Sequence, residues 1–327
     1  MNSTLDSLTV IFLVSGVKTN VLLPPLVAMV ISFFTSMGGL SGAFLLLPFQ
    51  MSVLNYTAPS VSGTNHVFNI MAIPSGAYRF IKEGRMVWPL TLTVVIGTLP
   101  GVFLGSYIRV LYLPDPRAFK LFVGCVLLYV GMRLVKDLLG KAKQKSTGTK
   151  TLEEKFKAQV EEMKKGRHAG AAAGIPADAV VKTVSISLKK IEYEFWGERF
   201  SFNPVGMFML AFVVGIIGGA YGIGGGAIIA PFCVAFFHLP VYTIAGATLM
   251  GTFITSIAGA SFFSLIPAIG GISAMPDWPL GMLFGLGGFI GMYLGARAQK
   301  FVPQKFIKVM LSVVIVFLAV KYIVQYF

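Results

Sequence analysis

The sequence predicts an all-α membrane protein, with about ten hydrophobic segments in two inverted five-segment repeats with broken helices, plus a small cytoplasmic insert. Composition is the first reason: the 327 residues are 55% hydrophobic and 12% charged, whereas soluble domains carry roughly 25% charged residues. The second reason is that the apolar runs are long enough to span a bilayer as helices, which takes about 20 residues. The third is a glycine run followed by a proline that occurs once in each half of the chain.

The hydrophobic segments form two groups of five on either side of a polar stretch. The first group comprises residues 21–37, 40–54, 58–80, 88–110 and 117–138. The second group comprises residues 204–220, 224–238, 243–266, 279–297 and 303–325. Because each group has an odd number of segments, the two repeats are expected to run through the membrane in opposite senses, as in many transporters.

Four regions follow from these segments. They are an external N-terminal or interfacial segment (1–20), a first transmembrane repeat (21–138), a cytoplasmic insert (139–203) and a second transmembrane repeat (204–327). Within the insert, Thr151 and Glu154 form a capping-box pattern that predicts a polar helix to about Lys165. Apolar residues alternate with polar ones on both sides of Lys189 and Lys190, which is typical of a β-hairpin. The insert is either a tether or partner-docking module or a passive solvated loop.

Lysine and arginine predict the orientation of the chain in the membrane. Basic residues lie in the loop after the third segment, in the insert, and in the connection between the ninth and tenth segments. Ten crossings place these three regions on one side, and cytoplasmic loops carry an excess of basic residues. We therefore predict a cytoplasmic insert and two external termini. The same asymmetry accounts for the net charge of +14 without nucleic acid as a partner.

The two glycine runs are the main candidates for a substrate-binding site. The first spans residues 38–42 and is closed by Pro48, and the second spans residues 222–226 and is closed by Pro231. Glycines let a helix stop and restart, and the first N–H groups of the new helix lack partners and lie at the positive end of its dipole. Such a helix end binds oxyanions without a charged side chain. The simpler interpretation is that these glycines only permit close helix packing.

Hydroxyl and amide side chains accompany the glycines. A single Ser or Thr in a membrane helix usually bonds back to its own turn, but Thr64 and Thr248 rank higher because they occupy equivalent positions in the two repeats. Asn69 and Thr255 belong to the same polar cluster. The predicted substrate-binding residues are Gly38, Gly39, Ser41, Gly42, Thr64, Asn65, Gly222, Gly224, Gly225, Gly226, Thr248 and Thr252.

Ionisable groups are rare inside the predicted spans. No Asp or Glu is placed at mid-membrane depth, so a cationic substrate has no countercharge there. His66 lies well inside a span, where it is either the acceptor of a coupling proton or a histidine satisfied between helices. Arg79 and Arg85 either form an electropositive vestibule or only set the topology. Because the sequence contains no catalytic constellation, P-loop or metal-ligand cluster, we predict a protein that is not an enzyme and has no cofactor or metal.

At these residues the sequence resembles the sulfite exporter TauE/SafE family of bacterial and archaeal membrane proteins. The resemblance covers roughly residues 20–138 and 204–325. It is carried by the two glycine runs with their prolines, by Ser62-Gly63-Thr64 and Gly246-Ala247-Thr248, and by Gly84-Arg85-Met86-Val87. The first run departs from the family's usual triple glycine, because Ser41 and Ala43 replace two glycines.

The resemblance implies a secondary transporter of sulfite or a small organosulfonate across the cytoplasmic membrane of a bacterium or archaeon, coupled to a proton or sodium gradient. The residues themselves predict only a small oxyanion, held at helix breaks near the midplane and carried by alternating access. An anion channel, and a membrane receptor or assembly subunit acting through residues 139–203, are the alternatives. Membrane lipid is an expected partner, and a homo-oligomer is compatible with the sequence.

Overall fold

The computed structural model shows a mostly helical protein and describes residues 8–139, 151–152, 154–155, 179–226, 228–268, 273–299, 302 and 304–326. The helices of the first half are α1 (Leu23–Met37), α2 (Ala43–Ser52), α3 (Ser60–Lys82), α4 (Trp88–Leu111) and α5 (Pro116–Leu139). Those of the second half are α6 (Pro204–Tyr221), α7 (Ile229–Phe237), α8 (Val241–Leu265), α9 (Trp278–Ala298) and α10 (Gln304–Val324). The strands are β1 (Thr9–Ile11), β2 (Lys18–Asn20), β3 (Val181–Ile186), β4 (Ile191–Phe195) and β5 (Glu198–Phe202).

Within the described residues, four helices are long and apolar enough to cross a membrane, namely α4, α6, α8 and α9. Shorter apolar helices accompany them, among them α1, α2 and the part of α10 from Ser312 to Val324. This is a multi-pass membrane protein.

Two helices are shorter than the segments that predict them. The segments 40–54 and 224–238 contain α2, with 10 residues, and α7, with 9 residues. At about 1.5 Å per residue each reaches roughly half of the ~30 Å hydrocarbon core, so neither crosses it alone. The expectation of ten separate crossings therefore needs correction. Each short helix follows a longer one. Whether such a pair enters the membrane and turns back or crosses it twice, the chain returns to the side on which the pair began. The predicted sides of the later loops are therefore unchanged.

Proline and side-chain caps place the ends of several helices. Both α4 and α9 begin with Trp-Pro, and the fixed φ of proline suits a first helical turn. The Asp277 carboxylate accepts the Leu280 N–H at 3.1 Å, and the Asn203 side chain accepts the Gly206 N–H at 2.9 Å. These caps satisfy donors at the starts of α9 and α6. Helix α6 ends at Gly222, whose φ of +84° is the left-handed conformation that glycine favours.

Helices from the two halves pack against each other crosswise. Helix α4 lies along α6, α9 lies along α1, α3 packs on α8, and α5 packs on α10. A Cβ atom at Gly101 or Gly105 of α4 would overlap backbone carbonyl groups of α6. A Cβ atom at Gly291 or Gly295 of α9 would overlap carbonyl groups of α1 in the same way. Small residues therefore let these helix backbones approach closely, as is common between membrane helices.

Two antiparallel sheets accompany the helices. Strands β1 and β2 pair with each other, and β3, β4 and β5 form a three-stranded sheet in chain order. The pattern around Lys189 predicts two strands there, and the structure adds β5 as a third. Tyr193 and Phe195 on β4 are fully buried, whereas Ile186 on β3 is 69% exposed. Of the predicted insert helix, positions 151–152 and 154–155 are helical, and the remainder lies outside the described residues.

The three-stranded sheet docks on two helix ends. The Val181 N–H donates to the Gly84 carbonyl at 2.8 Å, in the loop between α3 and α4. The hydroxyl groups of Tyr193 and of Thr243, in the first turn of α8, are hydrogen-bonded at 2.9 Å. Burial raises the pKa of Tyr193, so its hydroxyl stays neutral at physiological pH. The sheet thus connects the first half of the chain with the second.

Candidate functional site

The first break, residues 38–42, lies between α1 and α2 and packs against the start of α8. Gly39 has a left-handed φ of +73°, which costs glycine no strain. Its carbonyl accepts the Thr248 hydroxyl at 3.1 Å, and a Cβ atom on Gly39 would lie 3.0 Å from the Cβ atom of Ala245. The space at Gly42 is equally small. This break therefore has no room for larger side chains at either glycine.

The second break, of which the structure describes residues 222–226 and 228, lies between α6 and α7 and packs against the start of α3. Gly222 and Gly224 have left-handed φ angles of +84° and +77°. The Ser62 hydroxyl donates to the Tyr221 carbonyl at 3.3 Å, and a Cβ atom on Gly222 would overlap the Ser62 backbone. Each break thus contacts the third helix of the other half.

The remaining glycines of the second break face α4 and α8. The Gly225 N–H donates to the Thr255 hydroxyl at 3.2 Å, and a Cβ atom on Gly225 would overlap Thr98 of α4. Gly226 has equally little space beside Thr252. Among the predicted site residues, the glycines of this break and the threonines of α8 therefore lie together.

Asn69, in the middle of α3, joins the two breaks. Its side chain is fully buried. The carboxamide oxygen accepts the Ser41 hydroxyl of the first break. The carboxamide nitrogen donates to the Ile223 carbonyl of the second break at 3.0 Å and to the Ser256 hydroxyl of α8 at 3.1 Å. One side chain therefore fixes the position of both breaks relative to α3 and α8.

The backbone N–H groups at the breaks are only partly satisfied. At the start of α2, the Ala43 N–H donates to the Ser41 hydroxyl at 3.2 Å, and the next three N–H groups donate to carbonyls of the break. Within the described part of the breaks, the N–H groups of Ser41, Gly42, Gly224 and Gly226 have no acceptor among the described residues. The free donors therefore lie within the breaks, rather than in the first turn of α2 as a helix end alone would suggest.

Two predicted polar residues of α3 lie toward the start of that helix. Asn65 accepts a hydrogen bond from the Gln50 side chain at 2.7 Å, and its own amide nitrogen has no partner among the described residues. Thr64 bonds to the Tyr56 hydroxyl at 3.0 Å and accepts the Asp277 N–H at 2.9 Å. Thr64 therefore holds the start of α9, while its sequence equivalent Thr248 contacts the first break.

His66 is fully buried on the same helix. Its ring packs against Phe263 at a centroid distance of 5.9 Å, and a Cβ atom on Gly259 of α8 would overlap it. Neither ring nitrogen has a hydrogen-bond partner among the described residues. The structure therefore places an unpaired histidine between α3 and α8, one turn from Asn69.

Arg79 and Arg85 share one carboxylate at the far end of α3. Arg79 Nε lies 2.7 Å from a Glu83 oxygen, and Arg85 is paired with the other oxygen of Glu83. Arg85 is 1% exposed and also donates to the Gln299 side chain at 3.0 Å. Gln299 in turn donates to the Met37 carbonyl at 3.0 Å. Burial lowers the pKa of Arg85 and the charge of Glu83 opposes that shift, so Arg85 is a buried, ion-paired cation beside the end of α1.

Asn69 is absent from the predicted substrate-binding set, although its spacing carries a signal. Ser62, Asn65, His66 and Asn69 recur at intervals of three and four residues, which places them on one face of a helix. A polar face on a buried helix must meet polar partners. Ser256 carries the same kind of signal, because it follows Thr248 and Thr252 at intervals of four residues.

The sequence model of the family described as Sulfite exporter TauE/SafE matches residues 25–322. The chain belongs to the sulfite exporter TauE/SafE family. The matched residues include both breaks and Asn69. Membership confirms the resemblance carried by the duplicated glycine runs.

Two curated relatives of this TauE/SafE protein come from Bacillus subtilis (strain 168). Probable membrane transporter protein YunE is 22% identical over 300 residues, which cover 89% of this chain and 92% of that protein. Probable membrane transporter protein YdhB is 31% identical over 99 residues, which cover 29% of this chain and 36% of that protein. No solved structure matches the chain. The family and both relatives support a membrane transporter.

Proposed function

We propose that this TauE/SafE membrane transporter is a secondary transporter of a small sulfur-containing oxyanion, sulfite or an organosulfonate, across the cytoplasmic membrane. The observation that carries the proposal is the meeting of the two glycine breaks at Asn69. The substrate binds at the unpaired N–H groups of the breaks. The family's description supports sulfur as the central element.

The breaks suit an anion for electrostatic reasons. Ser41 and Gly42 have consecutive unpaired N–H groups, and successive N–H groups in a turn form a concave anion site. They directly precede α2, whose dipole adds partial positive charge at that end. Among the described residues, no carboxylate contacts either break. An anion is therefore stabilised there without a lysine or arginine, and a cation is not.

The packing of the breaks supports alternating access. Gly39 contacts Thr248 of the second half, and Gly222 contacts Ser62 of the first half. A movement of one repeat against the other changes both contacts at once. The α4–α6 and α9–α1 contacts are lined by glycines, so backbones can slide there with little interlocking of side chains. Such a movement exposes the substrate to one side of the membrane and then to the other.

The proposal includes the topology that the basic residues predict. Residues 1–20 and the end of the second repeat (204–327) are external, the first repeat is 21–138, and the insert 139–203 is cytoplasmic. His66 is the proposed acceptor of a coupling proton, because it is an unpaired buried histidine one turn from Asn69.

The test is thermal unfolding of the purified protein against a panel of anions. Sulfite, sulfate, thiosulfate and small sulfonates are compared with phosphate and carboxylates of matched charge. A ligand at 100 times its dissociation constant adds about 2.7 kcal/mol of stability. We expect one sulfur anion to stabilise the protein selectively and to exchange across proteoliposome membranes. Equal stabilisation by phosphate and carboxylates would contradict the substrate class, and single-channel currents in a planar bilayer would favour an anion channel.

A further inference from the structure

Arg109, in the last turn of α4, is a buried cation enclosed by neutral groups. Its side chain is fully buried. One terminal nitrogen donates to the Thr57 carbonyl at 2.9 Å and the other to the Leu113 carbonyl. The guanidinium carbon lies 3.6 Å from the centroid of the Phe119 ring. The Nε atom has no hydrogen-bond partner among the described residues.

The charge of Arg109 is not compensated by any carboxylate of the described residues. Its counterpart near the start of α4, Arg85, is equally buried but is paired with Glu83. Asp277, near the same end of the molecule as Arg109, instead accepts the backbone N–H groups of Ser15 and Leu280. A buried charge costs several kcal/mol unless it is paired.

In the internal repeat, Arg109 occupies the position equivalent to Gln299. Arg109 and Gln299 lie at the same distance in sequence from Trp88 and Trp278, the starts of α4 and α9. Gln299 accepts a hydrogen bond from Arg85. A buried guanidinium therefore lies beside the end of the fourth helix of each half, Arg109 at the end of α4 and Arg85 at the end of α9. Of these two guanidinium groups, only that of Arg85 is ion-paired with a carboxylate of the described residues.

We propose that Arg109 is a second anion site, which takes the transported oxyanion at the end of the protein opposite Arg85. The identity of the anion rests on the proposed function. A guanidinium has five N–H donors, of which two serve Thr57 and Leu113, so Nε and a terminal nitrogen remain for two oxygens of one anion. Tyr56 lies close enough to interact electrostatically with Arg109, and burial raises its pKa, so it stays a neutral hydroxyl.

Both carbonyl partners of Arg109 lie in connections between helices rather than within helices. The guanidinium can therefore exchange a carbonyl for an anion while α4 stays intact. Under the proposed topology this end is external. Arg109 then binds the oxyanion between the breaks and the outside of the cell, as a step separate from binding at Asn69.

The test is isothermal titration of the full-length protein with sulfite. The native protein is expected to bind two anions per chain, and Arg109→Gln and Asn69→Leu one each. Arg109→Gln introduces the residue type of the equivalent position 299. Arg109→Lys keeps the charge but loses the planar fork, and we expect the second site to weaken about tenfold. Arg133→Gln, which removes an arginine lying 4.6 Å from the Phe236 ring, is the control for charge removal and keeps both sites.

The outcomes separate the two proposals. One anion per native chain, lost in Asn69→Leu and kept in Arg109→Gln, overturns the Arg109 site and leaves the proposed function standing. No sulfite binding to the native protein overturns the proposed function itself. Two anions bound to Arg109→Gln, with a lowered melting temperature, would mean that Arg109 only ties helix connections together. If Arg109→Gln does not fold, the Arg109 site is tested by the native stoichiometry and by Arg109→Lys. Two anions per native chain and a weakened second site in Arg109→Lys support it, and one anion per native chain contradicts it.

Discussion

Replacement of Asn69 tests the candidate site most directly. Its carboxamide makes three hydrogen bonds, to Ser41, Ile223 and Ser256, and each is worth about 0.5–1.5 kcal/mol net. Asn69→Ala should therefore lower the free energy of unfolding by roughly 1.5–4.5 kcal/mol. Asn69→Asp keeps the shape of the side chain, but a carboxylate oxygen replaces the amide nitrogen that donates to the Ile223 carbonyl. The variant also brings a negative charge to the breaks. We expect it to abolish anion binding at the breaks.

The assay is the shift in thermal stability caused by sulfite. Binding at the breaks should add about 2.7 kcal/mol to the native protein at 100 times the dissociation constant of that site, and both Asn69 variants should lose this part of the sulfite response. Ser75→Ala is the matched control on the same helix, because the Ser75 hydroxyl donates to the Phe289 carbonyl of α9 at 2.7 Å. It should cost about 0.5–1.5 kcal/mol and keep the full sulfite response. Native sulfite affinity in Asn69→Asp would refute the placement of the anion at the breaks.

Three further predictions follow from the packing. Gly225→Leu should abolish sulfite flux in proteoliposomes while the protein still inserts, because the leucine side chain would overlap α4. The control Gly206→Ala should keep the flux, because its methyl group would lie 3.7 Å from the nearest atom. Sulfite flux in both variants would contradict the site. Tyr193→Phe removes the hydrogen bond to Thr243 and should speed hydrogen exchange of β4 amides by up to about tenfold; unchanged exchange would mean that packing alone docks the sheet. His66→Gln should remove the dependence of flux on a proton gradient while sulfite exchange at equal concentrations continues, and a retained dependence would place proton coupling elsewhere.

Helix positions follow well from the sequence where the signals are local. The predicted segment 88–110 and helix α4 (Trp88–Leu111) differ by one residue, because a Trp-Pro start and a long apolar run mark both ends. The segments 40–54 and 224–238 predict full spans, yet their helices have 10 and 9 residues. Apolar composition continues through both breaks, so hydropathy does not mark where a helix stops.

The contacts of the site depend on packing that equivalent sequence positions do not determine. Thr64 and Thr248 align in the repeat, but Thr248 bonds to Gly39 whereas Thr64 bonds to Tyr56 and the Asp277 backbone. The two breaks differ in length and in their glycines, so the same position faces different neighbours in each half. The glycine runs could therefore be predicted as a site from the sequence. The residue that joins them depends on the packing of α3 between the halves.

The polar face of α3 has a consequence for how the protein is made. Within the described residues, α3 is not among the helices apolar enough to cross a membrane by themselves. The Asn69 amide finds its partners at Ile223 and Ser256, which follow it by 154 and 187 residues. When α3 leaves the ribosome, the residues that pair with Asn69 have not yet been synthesised. An amide without hydrogen-bond partners in lipid has a high free-energy cost. We therefore expect α3 to need shelter during insertion until the second half of the chain has been made, and we expect a chain that ends after the insert to hold α3 in the bilayer less firmly.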